Sequence, residues 1–403
     1  MQIGPDGVFH LTYGTKIHPG RGWEELLGNL RACVPPLKAR LAPQQPFGLG
    51  LRLSNAESAE LLGGDNLPQF QAFLAQNGLY VFTLNGFPYG ALDGPTVKSE
   101  IFAPDWREEE RLTYTLRLVE ILRRLLPPGV EGSISTMPLS YKPWIAAGDT
   151  GAWTQITRNL VRLTVKLMAL REQGVLIHLD LEPEPDGLLE RSGEVVDFYE
   201  QWLLPVGGPL LAEAMGSSRA EAHQRLREHI QVCLDTCHLA VEFEDPVAAL
   251  AAWAAHGIRV GKLQITSGLK VTLPAAAEDR AGLARQLEPF TRSPYLHQVI
   301  AQGADGRRTQ FRDLAEALPG LAAAPDRQWR IHYHMPLFVD RYQMLDSTHD
   351  DTRTCLALLK EQRFTRHLEI ETYTWEWLPP GLKADLLESL HREYLWVLDA
   401  LGM

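Results

Sequence analysis

Eight short β-like runs recur along the chain, at residues 8–13, 47–53, 79–84, 132–137, 175–181, 231–235, 259–265 and 368–372, each followed by a helical pattern. Strands joined through helices return to the same end of a sheet, so this alternation calls for parallel pairing. The expected fold is therefore α/β, a (β/α)8 TIM barrel formed as a single domain over residues 1–403. A doubly wound open sheet would place a Gly-rich phosphate loop after its first strand, and Ile17-His18-Pro19-Gly20 stands there instead.

The crossovers can be read from their period. Ile156, Leu160, Leu163, Leu167 and Leu170 form one apolar stripe, with Gly174 as the stop. Leu112, Leu116, Val119, Leu122 and Leu126 form another, ended by Pro127-Pro128. Residues 382–401 form a last amphipathic helix that closes the ring. Residues 266–328 are too long for a barrel loop and predict a folded insertion between the seventh and eighth strands. It contains an apolar run at 295–301, a turn at 303–306 and a helix pattern at 309–318. An additional apolar run, 329–335, carries His332 and His334.

Composition narrows the function. Lys plus Arg number 39 against 50 Asp plus Glu, a formal charge of −11, which repels a polyanion and disfavours nucleic acid as partner. Four cysteines are too few for a disulfide scaffold, and no leader or membrane-length apolar run is seen, so a cytoplasmic protein with reduced thiols is expected. Cys233 and Cys237 flank Asp235 at a spacing unsuited to a zinc pair.

In such a barrel the chemistry lies at the carboxyl ends of the strands. The fifth run ends in Glu182-Pro183, the sixth in Asp235 with His238 three residues on, the seventh leads to Gln264, and the eighth ends in Glu371. Crowding carboxylates in a barrel mouth is costly through repulsion and lost hydration, and a divalent cation removes the conflict. The candidate metal ligands are Glu182, Asp235, Gln264, His334 and Glu371, suited to Mn²⁺, Zn²⁺ or Mg²⁺. Gln264 either ligates or hydrogen-bonds a neighbouring carboxylate. His238, His332, Asn85, His18 and Tyr13 are candidate substrate contacts. Lys262 is expected to point away from the lumen, and Arg52 to face either a salt-bridge partner or a substrate anion.

This constellation resembles the xylose-isomerase-like barrel superfamily, whose members place Glu, Asp-x-x-His, His or Gln, and Glu after strands five to eight. His332-Tyr333-His334 resembles the Asp-x-His element of its apurinic-endonuclease branch, with the first residue changed. More narrowly, residues 11–20, 83–90 and 369–375 are similar to the EboE family of metabolite traffic proteins. From the residues themselves, the expected activity is that of a metal-dependent isomerase or epimerase in which Glu182 and Glu371 exchange a proton beside a polarised carbonyl of a small polyol, sugar or metabolite precursor. The EboE resemblance implies work in secondary-metabolite processing or traffic, with association with other proteins of that pathway as a further expectation. The competing readings are a non-catalytic metabolite-binding protein and a phosphodiesterase of the apurinic-endonuclease type. The latter would need histidines where Ser54-Asn55 and Asn85-Gly86 stand.

Overall fold

A computed structural model describes residues 1–18, 20–90, 98–325 and 327–403. The eight expected runs are the eight barrel strands: β1 (Phe9–Tyr13), β2 (Phe47–Arg52), β3 (Leu79–Asn85), β4 (Gly132–Thr136), β5 (Ile177–Leu181), β6 (Ile230–Asp235), β7 (Val260–Ile265) and β8 (His367–Ile370). Successive strands from β2 to β8 pair in parallel, and β8 pairs with β1. The last seam, between β1 and β2, is closed by a parallel bridge between Gly14 and Gly50. There Thr12 Oγ1 accepts from Gly50 N at 2.7 Å and donates to the Gly48 carbonyl at 3.0 Å. Residues 2–3 add a short antiparallel strand beside β1.

The helices that carry the ring follow their apolar stripes. They include α1 (Trp23–Leu41), α2 (Glu109–Leu125), α3 (Thr150–Glu172), α4 (Thr236–Val241) and α5 (Leu386–Leu401). Leu112, Leu122, Ile156, Leu160, Leu163 and Leu167 are all buried against the barrel. Asp149 caps α3 by accepting from Ala152 N, and Gly174 turns the chain with φ 86° before β5, a backbone angle that favours glycine.

Between β7 and β8 the chain builds a second sheet of six antiparallel strands. Its order is Arg308–Phe311, Val299–Gln302, Gln328–Ile331, Leu269–Thr272, Leu345–Ser347, Arg341–Tyr342. It has its own core around Leu269, Val271, Leu287, Phe290, Trp329 and Ile331. Residues 309–311, expected to begin a helix, are strand paired with Val299–Ala301, and the helix starts only at Leu314. Residues 332–335 leave the sheet after Ile331 and turn toward the barrel mouth, where Met335 N donates to the Ser267 carbonyl at 2.7 Å.

The lumen corrects the expectation for Lys262. Residues two apart share a face, so Lys262 lies on the inward side with Gln264. Its Nζ donates to Ser135 Oγ at 3.0 Å and stands 3.5 Å from Glu369 Oε2, with both side chains fully buried. Gly50 faces the same pair, and a Cβ there would meet Glu369 Oε2 at 2.5 Å.

Candidate metal centre

Three histidines reach one point from two parts of the fold. His238 lies in the first turn of α4, directly after β6, while His332 and His334 come off the second sheet. All three rings are buried. His238 Nδ1 lies 3.1 Å from the Pro183 carbonyl, His332 Nδ1 lies 2.8 Å from Gln298 Oε1, and His334 Nδ1 lies 2.8 Å from the Glu371 carbonyl. Each partner is an acceptor only, and Gln298 is fixed in that sense because its Nε2 donates to the Pro185 carbonyl. Every ring therefore carries its proton on Nδ1 and presents a bare Nε2.

The three rings' ligating nitrogens fall within 4.8 Å of one another, and the Nε2 atoms of His238 and His332 are 2.9 Å apart. Burial pushes the His238 pKa down to about 4 and those of His332 and His334 well below the ordinary value, so no proton relieves the facing lone pairs at neutral pH.

Acids complete the cluster. Asp235 caps α4, its Oδ1 accepting from Cys237 N at 2.7 Å and His238 N at 3.1 Å, and from Thr266 Oγ1. That leaves Oδ2 with no hydrogen-bond partner, as is His334 Nε2. Ligating atoms of Glu182, Asp235 and His238 form a second set within 4.8 Å, and Asp235, Cys237 and His334 form a third. Burial, with Glu371, Asp235 and Glu184 nearby, raises the Glu182 pKa well above the usual range. Burial lifts Asp235 to about 7 and Glu184 to about 8. Acids pushed up and imidazoles pushed down at one spot share one cause, burial that disfavours every charged form.

These observations test whether the residues fit a divalent ion, and they do. Two orphaned buried ligand atoms and two facing lone pairs are groups that cost free energy unless something electrophilic lies among them. The Nδ1 bonds to carbonyl oxygens are the supports that metal-binding imidazoles ordinarily have. Ligand atoms on a tetrahedral ion bound at about 2.1 Å lie roughly 3.4 Å apart, so a slight opening of the His238–His332 pair seats one.

Glu371 borders the cluster, its Oε2 4.0 Å from His334 Nδ1. Its Oε1 lies 3.6 Å from Lys16 Nζ and accepts from Asn85 Nδ2 at 3.3 Å. The Gln264 amide lies 2.7 and 3.1 Å from the two Glu182 oxygens when its NH₂ faces them, so it holds Glu182 as a donor. Arg52 takes the salt-bridge alternative, 3.3 Å from Glu57.

Tyr13 and His18 are not brought here. They bond each other at 2.8 Å, and Tyr13 packs toward Cys33 of α1 and Tyr394 of α5. Alternation turns Thr12 into the lumen and Tyr13 out to the helices.

Lys16, Glu184 and Gln298 were not singled out in the sequence. Lys16 stands just past β1, its Nζ 4.3 Å from the Tyr373 ring centroid. Burial opposes its charge, but Glu371, Tyr295, Glu182 and Glu184 outweigh that and raise its pKa. Glu184 follows Glu182 by two residues, a spacing visible in the sequence. Nothing local marks Gln298, which depends on the second sheet for its position. A cavity of about 30 Å³ lies between Lys16, Glu182, Glu184, His332, Glu371 and Tyr373, roofed by Phe87 and Tyr295.

No protein-family model and no curated protein sequence matches the chain. Solved structures similar to it include a zinc-bound IolI protein, 12% identical over 98% of each chain with a TM-score of 0.46. Another is the probable 3-DHS dehydratase AsbF of petrobactin synthesis from Bacillus anthracis, 11% identical over 95% of this chain and 98% of that one, TM-score 0.45. A third is a xylose isomerase domain protein from Alicyclobacillus acidocaldarius, 12% identical over 98% and 100%, TM-score 0.44. The barrel itself is established by the strand pairing above. Among the described residues no helix is long and apolar enough to cross a membrane.

Proposed function

We propose that this chain is a divalent-metal-dependent enzyme that moves a proton at a carbon beside a carbonyl, an isomerase or epimerase of a small sugar, polyol or related metabolite. The observation that carries the reading is the convergence of three bare imidazole nitrogens with the orphaned Asp235 oxygen beside Glu182. His238, His332, His334 and Asp235 would hold the ion, with Glu182 at its edge, and an imidazole-rich set favours zinc over magnesium. When bound, the ion polarises a substrate carbonyl and orders the adjacent oxygen.

The protein's own groups divide the proton work. Glu371, fixed by Asn85 and Lys16, takes a proton from one face of the carbon, and Glu182, fixed by Gln264, returns one from the other. Lys16 supplies fixed positive charge toward the developing oxyanion. The cavity, about 30 Å³, is smaller than a sugar, so binding one requires it to widen. EboE-like segments at 11–20, 83–90 and 369–375 support a role in secondary-metabolite processing or traffic.

A direct test incubates zinc- or manganese-loaded protein with a panel of ketoses and hydroxy-ketones in D₂O and follows solvent deuterium at the carbon by NMR. Incorporation that disappears in Glu371→Gln supports the reading. A second reading is binding without turnover, and ligand-induced protection with no deuterium incorporation would select it.

A further inference from the structure

A second cavity, of about 370 Å³, opens at the opposite, amino-terminal end of the barrel. Its floor is polar and buried. There His178, at the start of β5, lies 2.6 Å from Asp180 Oδ1 and 3.2 Å from Glu131 Oε1, and His367 begins β8 with its Nδ1 unpartnered. Its rim carries Arg259, Arg363 and Arg366, all exposed, and among the described residues none of the three has a carboxylate partner within ion-pair distance.

Three exposed guanidinium groups gather at this one rim in a chain of charge −11, with Glu131 the acid that shares the cavity with them. Their backbones are also pinned: the Arg259 carbonyl accepts from Val232 N at 2.9 Å and the Arg366 carbonyl from His10 N at 2.8 Å. Arg363 is held at φ 49° where the preceding helix ends, its N–H bonded to the Leu359 carbonyl. Ordering these side chains round a ligand thus costs little beyond their own rotamers.

We infer that this mouth is a binding site for a small organic anion, a phosphate ester or polycarboxylate. Its charged oxygens meet Arg259, Arg363 and Arg366, and its hydroxyls reach Glu131 and His367 on the floor. Planar guanidinium forks match carboxylate and phosphate oxygens two at a time, and the cavity volume suits a metabolite of a few to a dozen heavy atoms. Burial opposes a charge on His178, yet Asp180 and Glu131 outweigh it and push its pKa up to about 10, adding positive charge to the floor. The opposing charge at the floor is Glu131, pulled down to about 2 chiefly by its hydrogen bond from His178, with a smaller contribution from Arg366. It excludes a bare, fully charged cluster in favour of an anion that also carries a donor.

The test is calorimetric titration at fixed ionic strength with inorganic phosphate in one arm and citrate in the other. Wild-type protein, Arg259→Ala/Arg366→Ala, Arg366→Gln and the distant surface variant Arg158→Ala are compared. Saturable millimolar or tighter binding of at least one anion is expected, unchanged in Arg158→Ala and weakened about tenfold or more for each rim arginine lost. The arm that saturates identifies phosphate or carboxylate as the group recognised. No saturation in either arm, or equal binding by the rim variants, overturns it.

Discussion

The Nε2 atoms of His238 and His332 face each other at 2.9 Å, although each ring has already given its Nδ1 proton to an oxygen acceptor. Two neutral imidazoles in this arrangement repel. The fold holds them there because the first is fixed by α4 and the second by the Gln298 amide, which is itself fastened to Pro185.

That amide sets the first prediction. Gln298→Ala removes the acceptor that orients His332 without touching a ligand. Losses of about 10- to 100-fold in metal affinity are typical for such supports. Competition titration with a zinc chelator checks it; affinity unchanged in the variant would mean the ring is positioned by something else.

Glu393 gives a pH test away from the centre. It is 1% exposed and accepts from Leu337 N and Thr372 Oγ1, and burial raises its pKa from 4.5 to about 7. A carboxyl whose folded pKa exceeds its unfolded value binds more protons when folded. Its stability contribution is complete below 4.5 and is lost as pH rises through 7. Glu393→Gln should therefore match wild type near pH 5 and exceed it by up to about 3 kcal/mol at pH 8. Denaturant unfolding at both pH values decides, and a stability gap independent of pH contradicts the assignment.

The lumen pair gives a larger effect. Lys262→Met leaves Glu369 buried beside no cation, which costs about 3–5 kcal/mol. Adding Glu369→Leu should recover most of that. A double variant as unstable as the single one would show that packing, not charge, is at stake.

At Gly261 the constraint is steric. A Cβ there would lie 2.0 Å from Asp180 Oδ1 and 2.6 Å from His178 Nδ1, inside the hydrogen-bonded pair. Gly261→Ala should lower stability by about 1–3 kcal/mol, as overpacking of a filled interior does. An unshifted melting temperature would mean the pair moves aside freely.

Much of the barrel was legible because its eight strands announce themselves by apolar runs and its helices by stripes such as Ile156 to Leu170, both local signals. Glu182, Asp235 and Glu371 were legible as strand-end acids for the same reason. Lys262 was misplaced by a slip of one in a period of two. Tyr13 was expected at the site, yet the same period sends it outward to Tyr394. Residues 309–311 carry a helix-compatible pattern but become strand because Val299–Ala301 offers a partner. Lys16 and Gln298 were hidden because each gains its place from a distant element, Glu371 for one and the second sheet for the other.

The proposed chemistry depends on three imidazole nitrogens and Asp235 holding one metal ion. A crystal equilibrated with zinc and measured on both sides of the zinc absorption edge tests it most directly. An anomalous peak is expected about 2.0–2.1 Å from Nε2 of His238, His332 and His334, with an Asp235 oxygen at similar range. A map with no peak among these rings, at saturating zinc, would contradict it.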